Sequence, residues 1–119
     1  MIFELFKDIA PNTCRNFINL CSKNQHGYKG SEIHRVVPGM YIQGGRINDK
    51  TEPHEFSDES FHVKHTEIGL LGMCKRNQQK HTNESQFYIT TGAPLTFLDN
   101  ENVIFGRVIS GMGFLKSVE

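Results

Sequence analysis

Short runs of alternating apolar and polar residues predict that much of this chain folds into β-strands, because alternation puts every second side chain on one face of a sheet. Residues 2–6 and 86–90 show this pattern. In the second run we expect two residues, Phe87 and Ile89, to face the core. The alternate residues of that run are then expected on the opposite face: Gln86, Tyr88 and Thr90. Apolar residues 69–74 and 103–109 predict two further strands.

Two segments have the spacing of helices instead. Pro11 suits the first turn of a helix, and the apolar positions that follow it have the i, i+3, i+4, i+7 spacing of one buried stripe: Cys14, Phe17, Ile18 and Cys21. We therefore expect both cysteines of the stripe to pack in the core rather than to carry chemistry. Residues 113–119 predict a second helix. Several short strands with two helices favour a β-barrel or sandwich with helical caps.

Residues 33–45 predict a hairpin that carries a functional site. A β-forming run breaks at Pro-Gly and then resumes with polar residues in register. If residues 38–40 form the loop, Arg35 lies directly opposite Gln43, and directly opposed residues share a face. A guanidinium and a carboxamide would then stand side by side, which is typical of a surface that holds an amide group.

Length, charge and cysteine count narrow the class of protein. The 119 residues correspond to a single domain over 1–119. The chain has 13 Lys and Arg residues and 13 Asp and Glu residues, so its formal net charge is zero. No overall charge therefore favours nucleic acid or a membrane surface as a partner. The three cysteines have no paired spacing, which favours a reducing compartment, the cytosol or nucleus. There is no apolar run of membrane-spanning length and no signal-peptide pattern at the N-terminus.

Many separated blocks of the chain carry a resemblance to a known family. The blocks are Phe3-Glu4-Leu5-Phe6, Pro11-Asn12-Thr13-Cys14-Arg15-Asn16-Phe17, Gly27-Tyr28-Lys29-Gly30-Ser31, His34-Arg35-Val36-Val37-Pro38-Gly39, Gln43-Gly44-Gly45, Phe56-Ser57-Asp58-Glu59-Ser60-Phe61, Lys64-His65-Thr66, Ser85-Gln86-Phe87-Tyr88-Ile89-Thr90, Leu98-Asp99 and Val103-Ile104-Phe105-Gly106. In these blocks, which run in family order, the chain resembles the cyclophilins, a family of peptidyl-prolyl cis-trans isomerases.

This resemblance implies a mainly β fold, a closed eight-stranded antiparallel β-barrel capped by two helices, with the site on its outer face. A typical cyclophilin has one strand before the segment that matches residue 2 and another after the helix at 113–119. We therefore expect this domain to be incomplete at both ends, with the first and last strands missing from the chain.

The implied activity is isomerisation of X-Pro bonds in peptides and folding proteins. Rotation about that amide has a barrier of roughly 18–20 kcal/mol, which a hydrogen-bond donor aimed at the prolyl nitrogen lowers. The resemblance assigns the donor to Arg35 and its support to Gln43, and it implies proline-containing peptides or proteins as partners. Gln86 and Leu98 also match the family site.

The resemblance also implies a proline pocket, formed by Met40, Tyr41, Gln43, Tyr88, Phe97 and Leu98, with Asn102 at its rim. Met40 replaces the usual phenylalanine, Tyr41 the usual methionine, and Tyr88 a common phenylalanine. The two tyrosine hydroxyls need partners if they are buried. Phe97 replaces a tryptophan that donates a hydrogen bond to cyclosporin in many members, so cyclosporin binding is doubtful. Plain core packing is the alternative for each pocket residue.

Cys74 and Lys75 align with a family stretch whose backbone contacts the substrate residue before proline. Residues 75–84 are all polar and predict an exposed loop, two residues longer than the family pattern. Lys75 and Arg76, with Lys80 and His81 further on, either narrow the neighbouring pocket or favour acidic peptides, and the alternative is a solvated loop without a partner.

Other kinds of site are not supported. His62 and His65 have the spacing of two metal ligands on a helix, but their segment is predicted to be extended. Only Cys74 is available as a further zinc ligand, so we assign no zinc, other metal or cofactor. Three hypotheses remain: an active isomerase, a weak or inactive proline-peptide binding module within a larger protein, and a structural domain whose site has decayed.

Overall fold

The computed structural model describes residues 1–23, 27–28, 30–47 and 55–118. In these residues the elements follow in the order β1 (Ile2–Leu5), α1 (Pro11–Ser22), β2 (Ile33–Val37), β3 (Tyr41–Gly44), β4 (Leu70–Lys75), β5 (Asn83–Thr90), β6 (Ile104–Ser110) and α2 (Met112–Val118). Short 3₁₀ turns span Arg76–Gln78 and Thr96–Leu98. Each predicted strand and helix is confirmed to within a few residues. Lys29, within the block at residues 27–31, and residue 119 of the predicted second helix lie outside the described residues.

The six strands form one antiparallel sheet in the order β1-β6-β4-β5-β3-β2. The outer strands β1 and β2 do not pair with each other within the described part of the chain, so the sheet is open. The mainly β antiparallel fold with two helices is confirmed, whereas eight strands and closure into a barrel are not. Closure requires a neighbour on both sides of every strand, and each outer strand here has one.

The hairpin of β2 and β3 has the predicted register. Arg35 pairs with Gln43, and Val37 pairs with Tyr41. The turn is closed by a 3.0 Å hydrogen bond from the Met40 amide to the Val37 carbonyl. Gly39 has a φ of 76°, in the left-handed region that favours glycine, which explains why the strand breaks at this residue.

Helix α1 covers the core side of the sheet through its first two turns. Cys14 and Phe17 are buried, and the Phe17 ring lies 5.3 Å from the ring of Phe105. The predicted buried stripe is wrong beyond this point, because Ile18 is 38% exposed and Cys21 is exposed. The helix continues past the part that packs against the core, so within the described residues the core does not cover the end of the stripe.

The prediction of an exposed polar loop over 75–84 is wrong at both of its ends. Lys75 ends β4, while β5 begins at Asn83, and both Thr82 and Asn83 are buried. The Lys75 ammonium lies 2.9 Å from an oxygen of Asp58, with side-chain exposures of 1% and 2%. A lysine can be buried here because a carboxylate on a distant segment neutralises it.

Candidate active site

A cavity of about 350 Å³ lies beside strands β2 to β5. Its lining residues are Arg35, Tyr41, Gln43, Cys74, Lys75, Asn77, Gln78, Tyr88, Leu98 and Asn102. The structure therefore brings together most of the site residues proposed from the sequence. Asn77 and Gln78 were not among those residues, although the extra length of their loop relative to the family pattern was a signal that the rim of the site differs.

Arg35 and Gln43 lie side by side at this cavity because their strands pair in the register given above. The Gln43 amide nitrogen donates a 3.0 Å hydrogen bond to the side-chain oxygen of Gln86 on β5. The guanidinium of Arg35 lies 5.9 Å from the centre of the Tyr41 ring, within range of a cation–π contact. Arg35 is exposed to solvent, so the site presents a permanently charged donor beside an oriented carboxamide.

Tyr88 lines the cavity with its ring, and its hydroxyl has a partner beneath the site. The hydroxyl oxygen lies 2.5 Å from Nε2 of His65, and Nδ1 of His65 lies 2.9 Å from a carboxylate oxygen of Asp99. Because a carboxylate only accepts, the proton of the neutral imidazole is on Nδ1 and Tyr88 donates to Nε2. The Tyr88 hydroxyl, which was predicted to need a hydrogen-bond partner if buried, therefore has one in His65.

Burial controls the protonation of the hydrogen-bonded array formed by Tyr88, His65 and Asp99. It lowers the pKa of His65, against the opposing effect of Asp99, and it raises the pKa of Tyr88 well above the ordinary value. The hydrogen bond from the His65 backbone amide is the main factor that holds the pKa of Asp99 below its usual range. At neutral pH the array therefore consists of a tyrosine, a neutral imidazole and a carboxylate.

Gly72 provides the space that the Tyr88 ring occupies. The two residues pair across β4 and β5, and a Cβ atom added at Gly72 would lie 2.3 Å from Cζ of Tyr88. No side chain larger than hydrogen fits there unless the ring moves. Gly72, His65 and Asp99 support the site without having been identified from the sequence, where the only signal was a tyrosine whose hydroxyl needed a partner.

Part of the lining of the cavity comes from the segment before β6. Asn102 is buried and donates a 3.0 Å hydrogen bond to the Met73 carbonyl. Its side-chain oxygen accepts a hydrogen bond from the amide nitrogen of Gln78. Leu98 adds a half-buried apolar side chain.

Cys74 and Lys75 reach the cavity at the end of β4, as the family alignment implied. Burial raises the pKa of Cys74 to about 12, so the thiol stays protonated. The Lys75 ammonium is directed to Asp58 and to the Glu101 carbonyl, 2.6 Å away. Its charge is thus paired inside the protein, which argues against the interpretation that Lys75 attracts acidic peptides.

Three residues proposed from the sequence do not line this cavity. Met40 lies in the hairpin turn, where its carbonyl accepts hydrogen bonds from the amides of Thr91 and Gly92, at 2.8 and 3.1 Å. Phe97 is 59% exposed. Gln86 orients Gln43 and lines a neighbouring cavity of about 180 Å³, whose other lining residues are Gln43, Cys74, Lys75, Arg76, Thr82 and Glu84.

The histidines considered as metal ligands have other surroundings. Both ring nitrogens of His65 are hydrogen-bonded, and His62 is exposed. No group of three or more potential metal-binding side chains occurs in the residues that the structure describes. Among the same residues, none of the helices has the length and apolar character needed to cross a membrane.

Comparison with known proteins gives one consistent family. The family model described as cyclophilin type peptidyl-prolyl cis-trans isomerase/CLD matches residues 1–119. A peptidyl-prolyl cis-trans isomerase from Encephalitozoon cuniculi (strain GB-M1) is 39% identical over 126 residues, which cover 99% of this chain and 72% of that protein. The NK-tumor recognition protein of Homo sapiens is 42% identical over 136 residues, which cover the whole chain but 9% of that protein. The chain thus spans less than a tenth of that relative's length.

A solved structure has the same fold. The crystal structure of a Cryptosporidium parvum cyclophilin type peptidyl-prolyl cis-trans isomerase, determined in the presence of the dipeptide Ala-Pro, is similar with a TM-score of 0.83. It is 33% identical in sequence, and the match covers 98% of this chain and 77% of the other.

Proposed function

The chain belongs to the cyclophilin-type peptidyl-prolyl cis-trans isomerase family, and we propose on this premise that it catalyses rotation about X-Pro bonds in peptides and folding proteins. The observation that carries the proposal is the placement of Arg35 directly opposite Gln43 at the cavity. Tyr88 and Leu98 line the same cavity, so a charged donor and an apolar surface suitable for a proline ring lie together.

The proposed mechanism needs no covalent step. The rotation barrier of about 18–20 kcal/mol comes from conjugation of the prolyl nitrogen with the carbonyl, and in the twisted state this nitrogen regains a lone pair. Arg35 donates a hydrogen bond to that lone pair. The interaction is absent in the planar ground states, so it lowers the barrier rather than only tightening binding.

Gln43 acts as the positioning residue for Arg35. Its amide nitrogen is used by Gln86, which leaves its carbonyl oxygen as an acceptor for the guanidinium on the neighbouring strand. The Tyr41 ring below the guanidinium limits its movement further. A donor that is already oriented needs little reorganisation when the twisted state forms.

The ligand is held on two sides in this proposal. The proline ring contacts Tyr41, Tyr88 and Leu98, and the residue before proline contacts the backbone of Cys74 and Lys75. The related C. parvum structure was determined with Ala-Pro, which supports short proline peptides as a first ligand class. Cyclosporin remains doubtful, since the exposed Phe97 has no hydrogen-bond donor in its side chain.

A proline-peptide binding module with weak or no catalysis is the second candidate. The hydrogen bond between Gln78 and Asn102 favours it, because a bond between two residues that line the cavity restricts the space in which a carbonyl can swing. Such a module would use the same contacts without needing Arg35 to reach the prolyl nitrogen.

We further propose that two additional strands close this sheet into the eight-stranded barrel of the family. The outer strands support this idea, since Ile2 on β1 and Ile33 on β2 are 59% and 42% exposed. Uncovered edges with apolar side chains favour pairing with another strand. A longer protein that includes the flanking sequence should show slower amide exchange in β1 and β2 than the 119-residue chain, and equal exchange would contradict closure.

For the compartment, we propose the cytosol or nucleus. All three cysteines are free, and Cys21 is exposed at the surface, where an oxidising compartment would modify it. Fluorescence microscopy of the tagged protein tests this, and a secreted signal would contradict it.

NMR exchange spectroscopy on a short Ala-Pro peptide tests the proposed function. Uncatalysed exchange takes tens to hundreds of seconds. Cross-peaks between the cis and trans signals on a sub-second timescale would establish an isomerase. Peptide shifts without exchange would favour the binding module, and a folded protein that gives neither result would overturn both.

A further inference from the structure

We propose that Gln78 is a specificity-determining residue, which restricts the cavity to peptides with small residues beside proline by bonding to Asn102. The proposal rests on the function proposed above for this cavity. It concerns a loop that is longer than the family pattern, so the family does not supply the role of this residue.

The hydrogen bond joins two separate segments of the chain that line the cavity. Gln78 ends the 3₁₀ turn after β4, and Asn102 lies just before β6, 24 residues later. Both side chains line the cavity of about 350 Å³ that also contains Arg35 and Gln43. The amide nitrogen of Gln78 donates to the side-chain oxygen of Asn102. The bond therefore ties the loop to the segment before β6.

One end of this bond is buried and the other is exposed. Asn102 is buried, and its amide nitrogen donates to the Met73 carbonyl in β4. Gln78 is exposed on a loop. A ligand that needs more space therefore displaces Gln78 rather than Asn102.

The local backbone positions Gln78 for this contact. Asn77 and Gln78 have φ values of 52° and 55°, in the left-handed region that residues other than glycine rarely adopt. The Thr82 hydroxyl holds the turn, since it accepts from the Arg76 amide at 2.9 Å and donates to the Gln79 carbonyl at 2.8 Å. Residues in such conformations cluster at ligand clamps, where surrounding contacts maintain them.

The bond should affect ligands according to their size. Two alanines beside proline leave Gln78 in place, whereas a bulky neighbour must break the bond between Gln78 and Asn102 before it binds. A net hydrogen bond between neutral groups corresponds to about a two- to tenfold change in an equilibrium constant. We therefore expect the cavity to discriminate by about this factor.

The test compares the parent chain with Gln78→Ala and Gln78→Met, for Ala-Ala-Pro-Ala and for the bulky Ala-Phe-Pro-Phe. Affinity is measured by NMR shift titration and isomerisation by exchange spectroscopy. Both variants remove the donor, and Gln78→Met keeps most of the length. Each should bind the bulky peptide about two- to tenfold more tightly and the small peptide nearly as before. Gln79→Ala is the control in the same exposed turn and should match the parent.

Three results would count against the proposal. Unchanged or weaker binding of the bulky peptide by folded Gln78→Ala overturns it, as does a Gln78→Met variant that behaves as the parent does, because the bond would then be irrelevant. If the parent neither binds nor isomerises either peptide, the proposed function fails and this proposal fails with it. Backbone amide spectra establish that each variant is folded.

Discussion

The hydroxyl of Tyr88 lies 2.5 Å from Nε2 of His65, directly beneath the candidate active site. Both residues are buried, and the far nitrogen of the imidazole bonds to Asp99. Asp99 follows the 3₁₀ turn Thr96–Leu98, which carries the Leu98 side chain of the cavity wall. The array therefore connects the ring that lines the cavity to the loop that forms its wall, and it makes several properties of the site predictable.

Tyr88→Phe should lower stability more than activity. The ring that lines the cavity is retained, but Nε2 of His65 becomes a buried acceptor without a partner, which costs about 1–3 kcal/mol of the free energy of unfolding. Urea unfolding measures the loss, and peptide exchange should remain within a few-fold of the parent. Tyr41→Phe is the matched control at a half-buried tyrosine of the same cavity and should cost less. An equal loss in both variants would show that the His65 bond is unimportant.

Stability should fall as the pH drops below about 6.5, the ordinary pKa of histidine. Burial lowers the pKa of both His65 and His34 in the folded protein. Within this pH window the unfolded chain binds more protons than the folded chain, so the free energy of unfolding rises with pH. Urea unfolding at several pH values between 5 and 7.5 measures the slope.

The carboxylates act at lower pH. The pKa values of Asp58 and Asp99 are held below the ordinary value of 3.8. The stability that the two ionised carboxylates contribute is therefore fully present above pH 3.8 and is lost only in stronger acid. His65→Gln should therefore reduce the slope between pH 5 and 7.5 and leave the part that comes from His34. A protein that becomes more stable on acidification through this range would contradict the neutral imidazole.

Gly72→Ala should destabilise the protein by about 1–3 kcal/mol, the usual cost of forcing a group into a packed site. The new Cβ would lie 2.3 Å from Cζ of Tyr88. Gly113→Ala in α2 is the control, because a Cβ there meets nothing within 4 Å and alanine favours a helix. Thermal unfolding compares the two. Combining Gly72→Ala with Tyr88→Leu should cost less than the sum of the single changes, whereas additive losses would place the clash elsewhere.

Lys75→Met should be among the most destabilising single changes, with a loss of about 3–5 kcal/mol, because Asp58 would stay buried without its positively charged partner, with hydrogen bonds from Asn83 and the His81 amide remaining. The matched control is Lys80→Met on an exposed residue of the neighbouring loop, for which we expect less than about 0.5 kcal/mol. The loss should shrink in acid, as Asp58 becomes neutral. Urea unfolding at pH 7 and in acid tests this, and equal losses in the two lysine variants would show that the pair contributes nothing.

The sequence predicted those features of the site that depend on local rules. A turn at Pro38 and Gly39 with β-forming residues on both sides fixes the register, and the register alone puts Arg35 beside Gln43. Alternation in β5 similarly predicts that Tyr88 lies with them at the cavity, whereas Gln86, on the same face of β5, lines the neighbouring cavity instead. For these residues, knowledge of the strand partners is enough.

The remaining features depend on contacts between distant segments. From the sequence, Lys75 is predicted to be exposed to solvent. In the folded structure it is paired with Asp58, which lies 17 residues earlier in the chain. Cys21 matches the helical stripe, but α1 extends beyond the core that would cover it. Gln78 was not predicted because its conformation depends on Thr82 and its partner is Asn102. Periodicity carries no information about such pairs, so these residues become apparent only in the folded structure.

Arg35→Ala is expected to separate catalysis from binding. Removing a donor that acts on charge in the twisted state typically lowers the rate by about 10²–10³, whereas peptide affinity should change far less, because the ground state does not use that bond. Arg35→Lys keeps the positive charge but loses the planar guanidinium that Gln43 orients, so we expect an isomerisation rate between those of the parent and Arg35→Ala. Arg107→Ala is the control, since this arginine bonds Glu4 at 2.8 Å on the pair of strands β1 and β6. Exchange spectroscopy and shift titration measure both quantities, and an Arg35→Ala rate equal to that of the parent would exclude Arg35 as the donor.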